Sequence, residues 1–134
     1  MENENKMESG FRINNLLLVD SNFSRIANMQ FGDKATNDIH IDTEVSVDGN
    51  LINVAETVTC VQKYEDIVQV NIKVKMVGLF EKIGDSQLTD FETFGRVNGA
   101  AIIFPYIREH ITNLTLKSGI PAIILPPVNF TNNK

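Results

Sequence analysis

The sequence is poor in the residues from which disulfides, metal sites and catalytic centres are built. Cys60 is the only cysteine, so the chain cannot form an internal disulfide, and its place among valines favours a buried thiol that packs as a small hydrophobe. The only histidines, His40 and His110, are far apart, and neither has neighbours at the spacing of metal ligands. No glycine-rich phosphate-binding loop follows a predicted strand. We therefore expect no catalytic residue, no bound metal and no cofactor.

Charge and hydrophobicity exclude further classes of protein. The net charge of −5 argues against nucleic-acid binding, which needs a basic face, and against association with anionic membranes. No apolar run is long enough to span a membrane, and the N-terminal stretch MENENKMESG lacks the apolar core of a signal peptide. The 134 residues, of which 43% are hydrophobic, suit one independent core. We expect a cytoplasmic protein with a disordered tail over residues 1–9 and a single domain over residues 10–134.

Alternating hydrophobicity predicts four β-strands. A first strand covers residues 11–23 and gives way to a turn near Asp20, and residues 24–38 form a long connection. Strict alternation in IHIDTEVSVD predicts a half-buried strand, DGN a hairpin turn, and LINVAETVTCVQKY the returning strand. After a turn near Glu65, IVQVNIKVKMVGLF predicts a fourth strand with Gln69 on its polar face. The strands are expected to form an antiparallel meander with one dry and one wet face.

Helical signals follow the strands. Thr89 and Glu92 in TDFETF have the spacing of a capping box, which predicts a short helix that ends near Gly95. Pro105 suits the first turn of a second helix, which is amphipathic and ends at Gly119. Four strands followed by helices make an α+β domain.

Apolar residues exceed what one thin layer of sheet and helix needs. The surplus lies in the long connection and in the stretch IPAIILPPVNF, where Pro126 and Pro127 favour an extended chain. Core packing combined with an oligomer interface explains it, and so does a groove that binds other polypeptides. A structural module that buries the surplus in a permanent assembly is a further alternative.

The stretch from Phe104 to Phe130 resembles the C-terminal signature of the SecB family of bacterial export chaperones. That signature runs Phe-Pro-Tyr-x-Arg-Glu, then an amphipathic helix with a small residue at its end, then Pro-Val-Asn-Phe. The matching positions are Phe104, Pro105, Tyr106, Arg108, Glu109, Gly119, Pro127, Val128, Asn129 and Phe130. The first strand is similar as well, and the resemblance extends from residue 10 to residue 130, more loosely through the middle.

The resemblance implies a four-stranded antiparallel sheet backed by helices, and a homotetramer built as a dimer of dimers. It implies an ATP-independent chaperone that holds unfolded or partly folded client proteins in hydrophobic grooves and keeps them competent for export. Neither nucleic acid nor insertion into a membrane is part of this activity. The predicted groove residues lie around the long connection and near the C-terminus: Phe23, Ile26, Met29, Phe31, Leu116, Ile120, Ile123, Leu125 and Phe130.

Charged residues depart from the family pattern on the polar face of the predicted sheet. Family members that feed export present acidic residues there to the motor ATPase SecA. Asp20 is retained, but the next acidic position of that segment is Ser24, and the long strand carries Asn71, Lys73 and Lys75 where acid is expected. The resemblance implies SecA as a partner with Asp20 as a docking residue, and the altered charges weaken that expectation because reversed charge weakens docking. Exported preproteins, or one dedicated client of the kind served by SecB-like proteins of toxin–antitoxin systems, are the two client classes left open.

Overall fold

A computed structural model of the chain describes residues 10–83 and 90–132, in which one antiparallel sheet carries a helical run on one of its faces. The predicted tail over residues 1–9 and the predicted capping residue Thr89 lie outside the described residues. The elements are β1 (Phe11–Arg25), β2 (Ala35–Asp48), β3 (Leu51–Tyr64), β4 (Ile67–Lys82), α1 (Phe91–Phe94), a π-helical turn (Gly95–Gly99), α2 (Ala100–Lys117) and a 3-10 turn (Phe130–Asn132).

The strand order is β1-β4-β3-β2, which confirms the predicted α+β class but changes the topology. Strands β2 to β4 form the predicted meander, with hairpin turns at Gly49 and Glu65, both of which have positive φ. The prediction that β1 continues this meander is wrong, because β1 pairs with β4 at the opposite edge from β2. Residues 26–34, hereafter the crossover segment, therefore span three strand spacings, or about 14 Å, from one edge of the sheet to the other.

Three strands, β1, β2 and β4, are longer than predicted, and β1 contains a bulge where a turn was expected. β1 runs through Asp20 to Arg25, and the register shift between Leu18 and Asp20 absorbs one residue without ending the strand. β2 begins at Ala35, so the predicted connection over residues 24–38 shortens to the crossover segment. The sequence pattern overestimates the length of this connection because polar residues such as Ser24 remain in β1, where they pair with β4.

The prediction that the side chain of Gln69 lies on the wet face of β4 is also wrong. Its side chain is only 2% exposed, and Val70 beside it is also buried. The pairing between β3 and β4 shifts register here: Gln62 lies opposite Val70, and Lys63 lies opposite Val68. Gln69 is the extra residue of this bulge, so the alternation of faces predicted from the sequence is interrupted at that point.

The core lies between the sheet and the helical run. Ile103, Ile107 and Ile111 form the apolar stripe of α2 and are fully buried, as their helical spacing predicts. At the other end, Phe94 stacks on Phe11 with ring centroids 3.9 Å apart. The helical run approaches the sheet closely because it carries glycine there: a Cβ added to Gly95 would lie 2.8 Å from a methyl group of Val45.

The two predicted helices form one continuous helical run over residues 91–117, in which Pro105 is an interior residue of α2 and not part of its first turn. An interior proline removes one helical hydrogen bond, but the burial of residues such as Phe104 favours continuation of the helix. The N-cap is Asp90, whose carboxylate accepts hydrogen bonds from the backbone N–H (3.0 Å) and hydroxyl (2.7 Å) of Thr93. These hydrogen bonds lower the pKa of Asp90. In the described part of the chain, no helix is long and apolar enough to cross a membrane.

Glu56 is a carboxylic acid inside the apolar core. It lies opposite Met76 on β4 and Thr43 on β2, and its side chain is fully buried. Neither carboxylate oxygen has a hydrogen-bond partner among the described residues. Burial raises the pKa of Glu56 from 4.5 to about 8, because a charged carboxylate loses its hydration there. The folded protein therefore holds Glu56 in its neutral form near pH 7.

We predict that the free energy of unfolding falls as the pH rises from about 5 to 8, because the unfolded chain releases the Glu56 proton while the folded chain keeps it. The expected slope from this residue is at most about 1.4 kcal/mol per pH unit. Urea unfolding of the wild type and Glu56→Gln at several pH values measures it, and the slope should disappear in the variant. Glu44→Gln, at an exposed position of β2, is the control and should keep the wild-type slope. Parallel curves for wild type and Glu56→Gln would contradict the prediction.

Candidate functional site

The crossover segment exposes apolar side chains at one end of the sheet. Ile26 is 39% exposed and Phe31 is 54% exposed, whereas Met29 packs partly against the core. Phe23 lies at the end of β1 opposite Ile72, on the sheet face that carries the helices, and is half-buried. These four predicted groove residues therefore surround the same end of the sheet, with two of them open to solvent.

The same end of the sheet carries three apolar residues that the sequence did not single out: Ile39, Ile67 and Val68. Ile39 is 36% exposed although its alternation predicted a buried face, because β2 is an edge strand and the helices do not reach that far along it. Ile67 and Val68 open β4 and are 61% and 38% exposed. Their sequence signal is only β-propensity, which does not distinguish a covered strand end from an open one.

Arg25 joins the crossover segment to the C-terminal end of α2. Its guanidinium donates a hydrogen bond of 2.6 Å to the carbonyl oxygen of Ser118, which caps α2. Leu116, the predicted groove residue on this last turn, is 59% exposed. The structure thus places the end of α2 beside the start of the crossover segment.

Four predicted groove residues are core residues in this structure. Residues 120–129, hereafter the C-terminal segment, form neither helix nor strand, and their buried side chains together with Phe130 are at most 5% exposed: Ile120, Ile123, Leu125 and Phe130. The prediction that Ile120, Ile123 and Phe130 line an open groove is corrected on that ground, whereas Leu125, although buried, forms part of the wall of the groove between α2 and this segment. Burial alternates over residues 123–125, so that Ile124, which was not predicted as a groove residue, is 73% exposed between two buried neighbours.

Two threonines of α2 hold the C-terminal segment through its backbone. The fully buried Thr115 hydroxyl accepts the N–H of Ile123 at 3.1 Å and donates to the carbonyl of Thr112 at 2.8 Å. The Thr112 hydroxyl donates to the carbonyl of Ile123 at 2.9 Å. Both backbone groups of Ile123 are thereby satisfied without a β-sheet partner.

An open groove of about 670 Å³ runs between the outer side of α2 and the C-terminal segment. Its walls combine apolar and charged side chains: Pro105, Arg108, Glu109, Thr112, Asn113, Leu116, Ile124, Leu125, Pro126 and Pro127. The groove has the mixed character of a surface that packs against protein rather than the enclosed shape of a small-molecule site.

The face of the sheet opposite the helices carries both signs of charge. Asp20 on β1 lies directly opposite Lys75 on β4, and the next cross-strand pair on the same face is Asn22 with Lys73. The basic side chain of Lys75 offsets the negative charge of Asp20, the acidic residue that the sequence singled out on this face. On β2 the acidic residues of this face are exposed, as their alternation predicts.

The described residues, 10–83 and 90–132, include histidine, cysteine and acidic side chains of the types that hold metal ions. Within those ranges, no group of three histidine, cysteine or acidic side chains is close enough to hold a metal ion. Cys60 is fully buried, and burial raises the pKa of its thiol to about 11, so it packs as predicted. His110 lies 2.9 Å from the hydroxyl of Ser21, a contact that links α2 to β1.

Comparisons with known proteins agree with this geometry. The family model described as "Preprotein translocase subunit SecB" matches residues 4–132. A protein-export protein SecB of Nitrosomonas europaea is 36% identical over 87 residues, which cover 63% of this chain and 53% of that protein. An uncharacterised protein of Methanocaldococcus jannaschii is 34% identical over 95 residues, which cover 68% of this chain and 61% of that protein. The chain thus spans between 53% and 61% of the length of these two relatives.

A solved structure shares the fold. It is a SecB-like chaperone of Mycobacterium tuberculosis, in complex with a ChAD peptide from the HigA1 antitoxin. The TM-score is 0.77 over 89% of this chain and 91% of that chain, at 17% sequence identity. The predicted SecB-like arrangement of sheet and helix is therefore confirmed at the level of the fold.

We predict that Thr115→Val loosens the C-terminal segment and lowers the free energy of unfolding by about 1–3 kcal/mol, because the buried N–H of Ile123 loses its acceptor. Urea unfolding measures the change. Thr115→Ser keeps the hydroxyl and removes only a methyl group, so it should cost clearly less than the valine variant. Equal destabilisation by both substitutions would show that the hydroxyl does not hold the segment.

Proposed function

The chain belongs to the SecB family, and we propose that it is an ATP-independent chaperone of the cytoplasm that holds unfolded or partly folded proteins and keeps them competent for export. The proposal contains no catalytic step. It requires an apolar surface that can accept chains of many sequences and release them again.

One observation carries the proposal: uncovered apolar side chains surround the end of the sheet at the crossover segment. Ile26, Phe31, Ile39, Ile67 and Val68 are all more than a third exposed there. Contiguous apolar surface of this kind on a protein indicates an interaction site. An extended client would bury its own apolar side chains against these residues without needing a fixed sequence.

Weak attraction over a broad area suits reversible holding. Burial of about 400 Å² of apolar client surface would contribute ~10 kcal/mol before costs are counted. Ordering the client removes much of this free energy, which keeps binding to one site reversible. An oligomer with several such sites would recover affinity by engaging one client chain repeatedly.

The two edges of the sheet differ in a way that supports self-association through β1. β1 exposes the apolar side chains of Leu17, Leu18 and Val19 at its edge of the sheet. At the opposite edge, β2 carries acidic residues, including Asp42 and Glu44, which oppose pairing with another strand. We propose that a second copy pairs with β1 and that two such dimers form the homotetramer that the family resemblance implies.

A dedicated client is the second candidate function, and the charge of the outer sheet face favours it. Lys73 and Lys75 lie at the centre of that face, where an acidic surface would serve docking to SecA. The M. tuberculosis structure with the same fold binds a peptide from an antitoxin. A chaperone of one toxin–antitoxin client would need the apolar surface of this chain but not the motor ATPase.

We predict that the purified protein, without ATP, suppresses aggregation of a chemically unfolded protein at stoichiometric ratio, measured by light scattering. Because Ile26 and Phe31 supply the exposed apolar surface, Ile26→Ser with Phe31→Ser should weaken client binding by at least about tenfold, since each loses apolar burial. Val47→Ser, which is 44% exposed on β2 away from the crossover segment, is the control and should bind normally. No suppression by a folded wild type would refute the holdase function.

We predict that the wild type binds SecA weakly and that Lys73→Glu strengthens this binding by at least about threefold, because it restores acid to the outer face. Lys117→Glu makes the same charge change at the end of α2 and should have little effect. Surface plasmon resonance at low and physiological salt measures the affinity of the wild type and of both variants for SecA. Tight binding by the wild type, unaffected by Lys73→Glu, would instead show that SecA docks elsewhere and would favour the export function over the dedicated one.

A further inference from the structure

We infer that Gln69 is a positioning residue: its carboxamide fixes the crossover segment against the end of the sheet and thereby sets the place of the apolar side chains that meet a client. The inference rests on the proposed function for its client-binding consequence. Its structural part, the attachment of the segment by Gln69, stands on hydrogen bonds in the chain itself.

The carboxamide of Gln69 satisfies both backbone groups of Gln30 in the middle of the crossover segment. Its Oε1 accepts the N–H of Gln30 at 2.6 Å, and its Nε2 donates to the carbonyl oxygen of Gln30 at 2.9 Å. The same Nε2 donates to Oε1 of Gln62 on β3 at 3.2 Å. The side chain thus replaces a strand partner for one residue of a segment that has no regular structure of its own.

The bulge in β4 explains why a glutamine performs this role at position 69. Val68 and Val70 have partners in register on β3, whereas Gln69 is the extra residue between them. The bulge re-aims its side chain into the space beneath the crossover segment, where it is 2% exposed. An apolar side chain of equal size would fill that space but would leave the backbone groups of Gln30 without partners.

A second set of hydrogen bonds fixes the beginning of the segment. The N–H of Ile26 donates to the backbone carbonyl of Gln69 at 3.0 Å. The guanidinium of Arg25 donates to the carbonyl oxygens of Ile26 and Ala27, each at 3.0 Å, and also to the end of α2. Arg25 therefore orients the first residues, and Gln69 alone holds Gln30 among the hydrogen bonds of the described residues.

Phe31 follows Gln30 directly, so its backbone position depends on the Gln69 contact. Because the side chain of Phe31 is 54% exposed, the hydrogen bonds one residue earlier restrict its backbone position. A segment that is already ordered loses less conformational entropy when a client binds. Loss of the Gln69 carboxamide should therefore reduce what Phe31 contributes to client binding, even though Gln69 itself is buried.

Amide hydrogen exchange tests the attachment without any client. In Gln69→Met, which keeps the side-chain length but removes the carboxamide, the Gln30 amide should exchange at least about tenfold faster than in the wild type. Gln30→Ala is the matched control, because only the backbone of Gln30 takes part in these hydrogen bonds. Unchanged exchange in Gln69→Met would overturn the structural part of the inference.

A double-mutant cycle tests the consequence for client binding, with reduced and carboxymethylated α-lactalbumin as the permanently unfolded probe. Phe31→Ala should weaken probe binding in both the wild-type and the Gln69→Met background. The fold-loss of affinity should be at least about threefold larger in the wild-type background. A residue that merely stabilises the fold would lower both affinities without coupling to Phe31. Equal factors in the two backgrounds would overturn the positioning role.

Failure of the proposed chaperone function and failure of the attachment by Gln69 give different experimental results. A folded wild type that does not bind the probe would refute the proposed function and, with it, the role of Gln69 in client binding, while the exchange of the Gln30 amide still decides the attachment. Thermal unfolding checks that the variants are folded. If Gln69→Met does not fold, Gln69→Asn, which keeps the carboxamide but shortens its reach by one methylene, takes its place with the same expected results.

Discussion

One amphipathic helical run packs on one face of the sheet, and most other features of the fold follow from this packing. Ile103, Ile107 and Ile111 bury a continuous stripe against β3 and β4, and the glycines at the start of the run allow close approach to β2 and β3. This burial outweighs the interior proline and makes one helical run out of two local helix signals. Because the helices cover only this face, the opposite face keeps its lysines and acids in water.

The position of β1 beside β4 decides where apolar surface remains uncovered. A chain that leaves β1 at one edge must cross the end of the sheet to begin β2 at the other. The crossover segment is too short to bury its own side chains, so Ile26 and Phe31 stay in solvent beside open strand ends. Hydrogen bonds from Arg25 and Gln69 hold its backbone, which permits an ordered apolar surface outside the core.

Two buried polar side chains, Gln69 and Glu56, differ in whether their polar atoms have hydrogen-bond partners. Gln69 has a partner for its oxygen and partners for its nitrogen, so its burial orders a neighbouring segment. Glu56 has none among the described residues and stays neutral, which links the stability of the fold to pH. Glu56 lies in the middle of β3, and Gln69 lies near the start of β4. A shift of the strand pairing by one residue would turn either side chain to the other face of the sheet.

The amino-acid sequence predicts the four strands, the hairpin turns at Gly49 and Glu65, the buried stripe of α2 and the SecB family, because periodicity, turn chemistry and motifs are properties of neighbouring residues. It also placed Ile26, Phe31 and Leu116 among the candidate surface residues. Tertiary contacts establish the strand order, the bulges at Val19 and Gln69, and the burial of the C-terminal segment. Those features arise from contacts between residues far apart in the chain, and a local pattern shows that a side chain is apolar without showing what covers it.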